Sequence, residues 1–207
     1  MMQMEKLSKN FYRRKDVLQI ARELIGKVLV TNINGVKASG MIVEVEAYAG
    51  VEDKASHAYN NKRTKRNEMM YAGAGVTYIY LCYGLHNMVN VVTNEEGVPH
   101  AILIRALEPM QGIESMLQRT GKQVADYSLT RGPGNVAKAM GISMAHNGFS
   151  LSSKEINICS SSFSLDENSI AQSPRIGIDY AGDCKLLPYR FFVKENKYVS
   201  GKKINNF

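Results

Sequence analysis

The sequence has too few cysteines for a disulfide framework. Cys82, Cys159 and Cys184 are odd in number, widely spaced and form no CxxC pair, which is typical of a reducing compartment. The first 27 residues carry charge throughout and contain no apolar stretch long enough for a signal peptide or a membrane span. We therefore expect a cytoplasmic protein with no membrane partner.

Several enzyme motifs are also missing. The sequence contains no Walker loop, no GxSxG and no GxGxxG. The four histidines fall in separate segments with no HExxH spacing, so we expect no metal site: His57, His86, His100 and His146.

The composition favours one compact domain over residues 1–207. A chain of 207 residues with 44% hydrophobic residues can bury a substantial core without splitting. Lys and Arg number 26 against 19 acids, giving a formal charge of +7, which favours an anionic partner such as nucleic acid. An ordinary basic enzyme fits this charge equally well.

The hydrophobic pattern predicts an α+β fold in which strands dominate. Helical spacing begins after Asp16 and ends near Gly26, and KVLVTN, NING and VKASGMIVEVEAY read as a hairpin. VTYIYLCY and NMVNVV predict a second hairpin, and AILIRALEP a buried strand. Residues 51–76 are polar, basic and glycine-bearing, which indicates a long surface loop.

The rest of the chain predicts short elements. We expect helices at 113–118 and after the GPG of 132–134, where Pro133 suits a first helical turn. The serine-rich stretch 143–173 predicts loops with a brief strand at INIC, and the tail from Pro174 predicts short strands alternating with turns.

Two acids and a tyrosine share a face in VEVEAY. The two-residue period of a strand places Glu44, Glu46 and Tyr48 together, opposite Val43 and Val45. A carboxylate beside a core strand is suited to act as a general base on water. A solvated strand face explains the same pattern.

The second hairpin is rich in tyrosine. The strand period aligns Tyr78 with Tyr80 and sends Tyr83 to the other side, near the tip. Tyr80 can form a wall for a flat, electron-poor ring, and Tyr83 can wedge between bases, although tyrosines favour strands in any case. A basic run precedes the hairpin and can neutralise phosphates or form a solvated loop: Lys62, Arg63, Lys65 and Arg66.

In their order, these motifs resemble the alkyladenine (3-methyladenine) DNA glycosylases of the human and bacterial type. The resemblance runs through FYRR, LIGK, VEVEAYAGVEDKASHAYN, TKRNEMMYAGAGVTYIYLCYGLHNMVNVV, AILIRALEP, RGPGNVAKAMGI, PRIGIDYAG and PYRFFV. It covers nearly the whole chain and implies a mixed fold around a curved antiparallel sheet, whose protruding hairpin inserts into the DNA minor groove. MMYAGAG departs from the human type, where a phenylalanine and a proline are expected.

The resemblance also implies residue roles. The acid that activates water falls on Glu46, and the arginine beside that water falls on Arg105. The intercalating residue falls on Tyr83, and the base-binding pocket on four residues that include an asparagine opposing guanine's 2-amino group: Tyr48, His57, Tyr80 and Asn90. The backbone amide of His57 can face the flipped base.

The activity implied is DNA repair without a cofactor. The enzyme flips alkylated or deaminated purines out of duplex DNA and hydrolyses the N-glycosidic bond, starting base excision repair. The substrate class covers 3-methyladenine, 7-methylguanine, hypoxanthine and ethenoadenine. No lysine amine is required, so we expect a monofunctional, monomeric glycosylase that associates with the nucleoid in a bacterium.

Two other functions are compatible with the sequence. The basic loop and the tyrosine hairpin fit a non-catalytic damaged-DNA-binding module if Glu46 is only structural. A small-molecule hydrolase or transferase using Glu46 and His57 is also compatible, although the excess positive charge gives no reason for it.

Overall fold

The computed structural model describes residues 5–161 and 165–201, which share one main hydrophobic core. Four α-helices are present in this part of the chain: α1 (Lys9–Tyr12), α2 (Val17–Leu24), α3 (Ile113–Thr120) and α4 (Pro133–Met140). The first five strands are β1 (Val28–Ile33), β2 (Val36–Tyr48), β3 (Thr77–Cys82), β4 (His86–Thr93) and β5 (His100–Gln111). The last three are β6 (Ile156–Cys159), β7 (Ile170–Ser173) and β8 (Arg190–Val193).

The eight strands form one curled antiparallel sheet. Their order is β3-β4-β5-β2-β1-β6, and β8 pairs with both β2 and β7. The long strand β2 pairs with β5 along one edge, and its other edge pairs first with β1 and then with β8. The register shifts on either side of Glu44, where the sheet branches. The expected α+β class with a curved antiparallel sheet is confirmed.

Helix α2 begins as its sequence predicts. The Asp16 carboxylate accepts hydrogen bonds from the backbone N–H groups of Leu18 and Gln19, at 2.9 and 3.0 Å. The helix buries its apolar stripe against the core: Val17, Ile20, Ala21 and Leu24. Gly26 follows two residues after the helix with φ of +83°.

The predicted helices near the middle of the chain are confirmed. Helix α3 covers the interval predicted at 113–118, and α4 starts at Pro133, directly after Gly132. Both helices are followed by a glycine in the left-handed region, Gly121 and Gly141, which satisfies the last carbonyls of each helix. The brief strand predicted at INIC is β6.

Both predicted hairpins are present. Asn34 and Gly35 connect β1 to β2 with positive φ values of 54° and 80°, as a tight hairpin turn requires. Cys82 pairs with His86 at the end of the second hairpin, which leaves a tip of Tyr83, Gly84 and Leu85.

Strand β2 separates the core from the polar residues. Val43, Val45 and Ala47 lie in the main core together with residues of α2 and α4. Glu44, Glu46 and Tyr48 lie on the opposite face, as the strand period predicts. The same strand therefore anchors the core and carries the acids.

The prediction of a surface loop at 51–76 is wrong in part. The segment includes three short 3-10 helices, Gly50–Glu52, Tyr59–Asn61 and Glu68–Tyr71. Three of its apolar residues lie in a small second core with Tyr78, Val92 and Ala101: Ala58, Met70 and Tyr71. Burial of these side chains outweighs the polar composition of the rest.

One further expectation is corrected, and another is confirmed except for the additional strand β7. Up to residue 201, the tail after Pro174 contains an eight-residue 3-10 stretch, Asp179–Leu186, and then one strand, β8, instead of several short strands. The serine-rich stretch is largely irregular where it is described, and residues 162–164 lie outside the described residues. Among the described residues, no helix is long and apolar enough to cross a membrane.

Candidate active site

A pocket opens beside the polar face of β2, with about 320 Å³ of space that includes solvent at its mouth. Nine residues line the pocket: Tyr48, Ala55, His57, Met70, Tyr78, Tyr80, Asn90, Ala101 and Tyr180. All four residues predicted for a base-binding pocket are among them, and the other five are additions from the structure.

The aromatic residues on one side of the pocket are packed against each other. The ring centroids of His57 and Tyr80 lie 4.6 Å apart, nearly edge to face, and those of Tyr78 and Tyr80 lie 5.5 Å apart. His57 Nδ1 is hydrogen-bonded to the Tyr78 hydroxyl at 2.7 Å. These contacts fix the orientation of the His57 ring. His57 lies in the loop after β2, and this loop places it beside strand β3.

His57 is neutral at physiological pH. Burial, together with the positive charges of Arg66 and Lys62, lowers the pKa of His57 to about 4. A positively charged group entering the pocket therefore meets an uncharged imidazole.

Tyr48 connects the pocket to a buried carboxylate. Its hydroxyl donates a hydrogen bond of 2.9 Å to Glu46 Oε2. Burial and the negative charge of Glu46 raise the pKa of Tyr48 well above its usual value, so the hydroxyl keeps its proton and remains a donor.

Glu46 is fully buried and held by three donors. Besides Tyr48, the backbone N–H of Ile176 donates to Oε1 at 2.7 Å, and Arg105 Nη1 lies 3.2 Å from Oε2. The neighbouring strand β5 carries Arg105 and pairs with β2 at Glu46 through Leu103. The structure thus brings together the predicted pair Glu46 and Arg105, which are distant in sequence.

Arg105 bridges two carboxylates. Its Nε donates to Glu44 at 3.0 Å, its Nη1 faces Glu46, and its Nη2 donates to Ser200 Oγ at 3.2 Å. Burial alone would lower the pKa of Arg105, but the two glutamates outweigh it and raise the pKa. The guanidinium is therefore charged and fixed in orientation.

Glu44 forms the centre of a second buried network that the sequence did not reveal. It accepts hydrogen bonds from Arg190 Nε at 2.7 Å and from the N–H and hydroxyl of Ser200 at 2.6 and 2.9 Å. Glu44 was expected on the same face as Glu46, which is confirmed, but Arg190 and Ser200 were missed. Their distance of about 150 positions from Glu44 leaves no local pattern that could have predicted these contacts.

Another missed pair lies behind Tyr48. Arg175 donates to both oxygens of Asp53, at 2.5 and 2.8 Å, and to the carbonyl of Ala47 at 2.8 Å. The Arg175 guanidinium also lies 4.8 Å from the centroid of the Tyr48 ring. Since Arg175 precedes Ile176, this ion pair fixes the segment whose N–H holds Glu46.

Asn90 is buried at the pocket wall. Its side-chain nitrogen donates to the carbonyl of Tyr78 at 3.0 Å and to that of Met88 at 3.4 Å. These bonds within the β3–β4 hairpin fix the orientation of the amide in the pocket that Asn90 lines.

The hairpin tip is the most exposed apolar feature of the described chain. Tyr83 is 90% exposed and Leu85 is 77% exposed. Tyr83 also has a φ of +51°, which is uncommon for a residue with a side chain. The strand that leads to this tip also carries the pocket residues Tyr78 and Tyr80.

The predicted basic loop lies near the hairpin and is exposed. Within residues 5–161 and 165–201, only Arg63 of its four cations forms a salt bridge, at 2.6 Å to Glu68. Arg66 donates to the carbonyl of Leu81 at 3.0 Å and lies 5.4 Å from the Tyr80 ring centroid. Lys62 and Lys65 extend the positive surface beside it.

Tyr180 completes the pocket from the opposite segment. It is 70% exposed, and its hydroxyl donates a long hydrogen bond of 3.4 Å to the carbonyl of Ala55. The residue lies in the resembling motif PRIGIDYAG, which gave the only sequence signal for it. In the described part of the chain, no group of three His, Cys, Asp or Glu side chains is arranged to hold a metal ion.

Comparisons with known proteins identify the family to which this fold and this site belong. The chain belongs to the methylpurine-DNA glycosylase family, whose model matches residues 10–197. Family membership makes it a DNA repair glycosylase with DNA as its partner. The resemblance of the sequence motifs to this family is confirmed.

Individual relatives match the chain over nearly its whole length. A protein of Chlamydia abortus is 47% identical over 90% of this chain and 97% of its own length. Proteins of Chlamydia felis and Desulfitobacterium hafniense are 46% and 45% identical, over 93% and 96% of this chain and all of their own length. All three bear the name "Putative 3-methyladenine DNA glycosylase".

Proposed function

We propose that this protein flips a damaged purine out of duplex DNA into the aromatic pocket and hydrolyses its N-glycosidic bond with a water activated by Glu46. The observation that carries this proposal is the 2.9 Å hydrogen bond between Tyr48, which lines the pocket, and the buried carboxylate of Glu46. It joins a site suited to a flat ring with a group suited to activate water.

Recognition of the base falls to Tyr48, His57 and Tyr80. Alkylation at N3 or N7 makes a purine cationic, and an electron-rich ring attracts such a base by about 0.5–2 kcal/mol. The neutral state of His57 supports this role, because a charged imidazole would repel a cationic base. Deaminated and etheno purines, which are neutral, bind by stacking alone.

Asn90 excludes undamaged guanine in this proposal. Its amide is fixed at the pocket wall by the Tyr78 carbonyl. A rigid side chain at this position can oppose the 2-amino group of guanine, which hypoxanthine lacks.

Glu46 acts as the general base. A carboxylate offers about four acceptor positions, and three donors among the described residues use three of them. A water that donates to the fourth can lose its proton to Glu46 as its oxygen bonds to the anomeric carbon of the sugar. The carbon–nitrogen bond breaks, and the purine departs with the bonding electron pair.

Arg105 holds the carboxylate and the water in line. Its contacts with Glu44 and Ser200 leave it little freedom to rotate, which favours a reactive geometry. The nine residues that line the pocket include no lysine, so we propose a monofunctional enzyme that leaves the DNA strand intact.

The hairpin opens the duplex. We propose that Tyr83 enters the minor groove and fills the space of the flipped base, which offsets part of the unstacking cost of a few kcal/mol. In this proposal Lys62, Lys65 and Arg66 contact phosphates nearby, and Arg63 contributes less because Glu68 neutralises it. In this proposal the protein works as a monomer without a cofactor, and the described residues form one glycosylase domain.

A base-release assay tests this function. The protein is incubated with EDTA and end-labelled duplexes that carry one hypoxanthine or one ethenoadenine, and with methylated DNA. We expect free purine and an intact abasic strand from at least one substrate. Tight lesion binding without release on any substrate would instead support a damaged-DNA-binding module, and release only without EDTA would show a metal requirement.

A further inference from the structure

The Tyr80 wall of the pocket has a guanidinium behind it. Arg66 lies 5.4 Å from the centroid of the Tyr80 ring, and its Nη2 is held by the carbonyl of Leu81 at 3.0 Å. Tyr80 lines the pocket and Arg66 does not. The positive charge of Arg66 therefore does not touch a base in the pocket. It acts on the base electrostatically, across the Tyr80 ring or past its edge.

The charge of Arg66 has no acidic partner among the described residues. Its guanidinium donates a hydrogen bond to a neutral carbonyl, that of Leu81. Arg175 behind Tyr48 differs, because the carboxylate of Asp53 at 2.5 and 2.8 Å neutralises it. Arg63 in the same loop is likewise paired with Glu68. Of these three arginines, Arg66 is therefore the one whose positive charge lies unneutralised against an aromatic ring of the pocket.

We infer that Arg66 is a specificity-determining residue that shifts the pocket away from cationic alkylated purines and towards neutral damaged purines. This inference rests on the proposed function of the pocket. The π electrons of Tyr80 that attract a cationic base are already attracted to the guanidinium. A cationic base stacked on Tyr80 would also lie within about 10 Å of Arg66, a distance at which like charges still repel at the screening of a protein surface.

The effect of this charge on the pocket is visible at His57. After burial, the largest cause of the lowered pKa of His57 is the positive charge of Arg66, followed by that of Lys62. The ring of His57 lies 4.6 Å from that of Tyr80. A field that disfavours a proton on His57 also disfavours a positive charge on a base stacked beside it.

The test compares binding of two lesions that differ in charge. Binding is measured in the Glu46→Gln background, so that no base is lost, on duplexes with 7-methyladenine, which is cationic, or with ethenoadenine, which is neutral, each on a 2′-fluorinated sugar; neither base carries the 2-amino group that Asn90 opposes. Arg66→Gln removes the charge, Arg66→Lys keeps it, and Lys65→Gln removes a neighbouring loop charge that does not contact an aromatic ring.

We expect Arg66→Gln to raise the affinity for the cationic lesion relative to the neutral one by about fivefold. Arg66→Lys should keep most of the wild-type ratio, and Lys65→Gln should weaken both complexes without changing the ratio. An unchanged ratio in Arg66→Gln, or equal weakening of both complexes, would overturn the inference and leave Arg66 as a hairpin or phosphate contact.

The design separates this inference from the proposed function. Equilibrium binding does not depend on catalysis, so the ratio is informative even if the wild-type protein releases no base. If neither lesion binds more tightly than undamaged duplex, the pocket does not accept flipped bases, and both the proposed function and the inference fail. Lesion binding with an unchanged ratio defeats the inference alone.

Discussion

Tyr48 lines the pocket with its ring and donates its hydroxyl to the buried Glu46 at 2.9 Å. The two residues are separated by one position on β2, so the pleat of a single strand sets their distance. A displacement of the Tyr48 ring therefore also moves the hydroxyl that holds the Glu46 carboxylate.

The Tyr48 hydroxyl can be removed while the ring remains. In Tyr48→Phe we expect lesion affinity within about threefold of wild type and single-turnover excision slower by about tenfold or more, because Glu46 loses one of its fixed donors. Tyr59→Phe, which alters an exposed tyrosine outside the pocket, serves as the control. Equal excision rates for Tyr48→Phe and wild type would show that the hydrogen bond does not position Glu46.

The hairpin tip should contribute to DNA binding and base flipping, which precede cleavage of the glycosidic bond. We expect Tyr83→Ser to lower the affinity for lesion duplex by about tenfold, since stacking of one aromatic side chain on a base is worth about 1–3 kcal/mol. The excision rate at saturating enzyme should change less. The measurement is a binding titration beside single-turnover kinetics, with Tyr127→Ser as an exposed control between α3 and α4. Unchanged affinity for Tyr83→Ser would remove the wedge from the mechanism.

His57 should make the fold less stable in mild acid. Its pKa is lowered to about 4 from an ordinary value of 6.5, so the unfolded chain binds a proton first as the pH falls. The stability contributed by neutral His57 is complete above pH 6.5 and is lost as the pH falls through about 4. Between pH 7 and pH 5, this single group should cost about 1–2 kcal/mol of unfolding free energy.

Urea unfolding of wild type and His57→Gln at the two pH values measures this contribution. Glutamine is neutral throughout and can still accept a hydrogen bond from Tyr78. We expect the wild type to lose more stability than the variant between pH 7 and pH 5. The same pH dependence in both proteins would mean that His57 titrates normally.

The contributions of Asp53 and Arg175, the ion pair behind Tyr48, to the unfolding free energy should be strongly coupled. Asp53→Asn leaves the buried guanidinium of Arg175 without its counter-charge, and we expect it to lower the unfolding free energy by about 3 kcal/mol. Arg175→Met should cost a similar amount, and the double variant much less than the sum. A thermodynamic cycle from urea unfolding gives the coupling energy, and additive losses would show that the pair is not coupled.

Local patterns predicted much of the site because several functional residues lie close together along the chain. The alternation of a strand was enough to place Glu46 and Tyr48 on one face, and the same argument aligned Tyr78 with Tyr80. The resemblance supplied His57, Asn90 and Arg105, which lie on three different segments that composition could not have brought together.

The remaining contacts depend on tertiary packing. Arg175 and Asp53 are 122 positions apart, and each is an ordinary charged residue when viewed in its own segment. Tyr180 reaches the pocket from an irregular 3-10 stretch that has no periodic pattern. The loop at 51–76 was expected on the surface, but a second small core with Tyr78 and Val92 buries Met70 and Tyr71.

The proposed mechanism depends on activation of the water by Glu46. The most direct measurement determines lesion-duplex affinity and single-turnover base release in parallel for wild type, Glu46→Gln and the control Glu52→Gln, which changes an exposed acid a few residues away. Because glutamine preserves shape but cannot accept the proton, we expect Glu46→Gln to bind nearly as tightly as wild type and to release the base at least about a thousandfold more slowly. Glu52→Gln should release it at the normal rate. Release by Glu46→Gln at the wild-type rate would contradict the proposed mechanism.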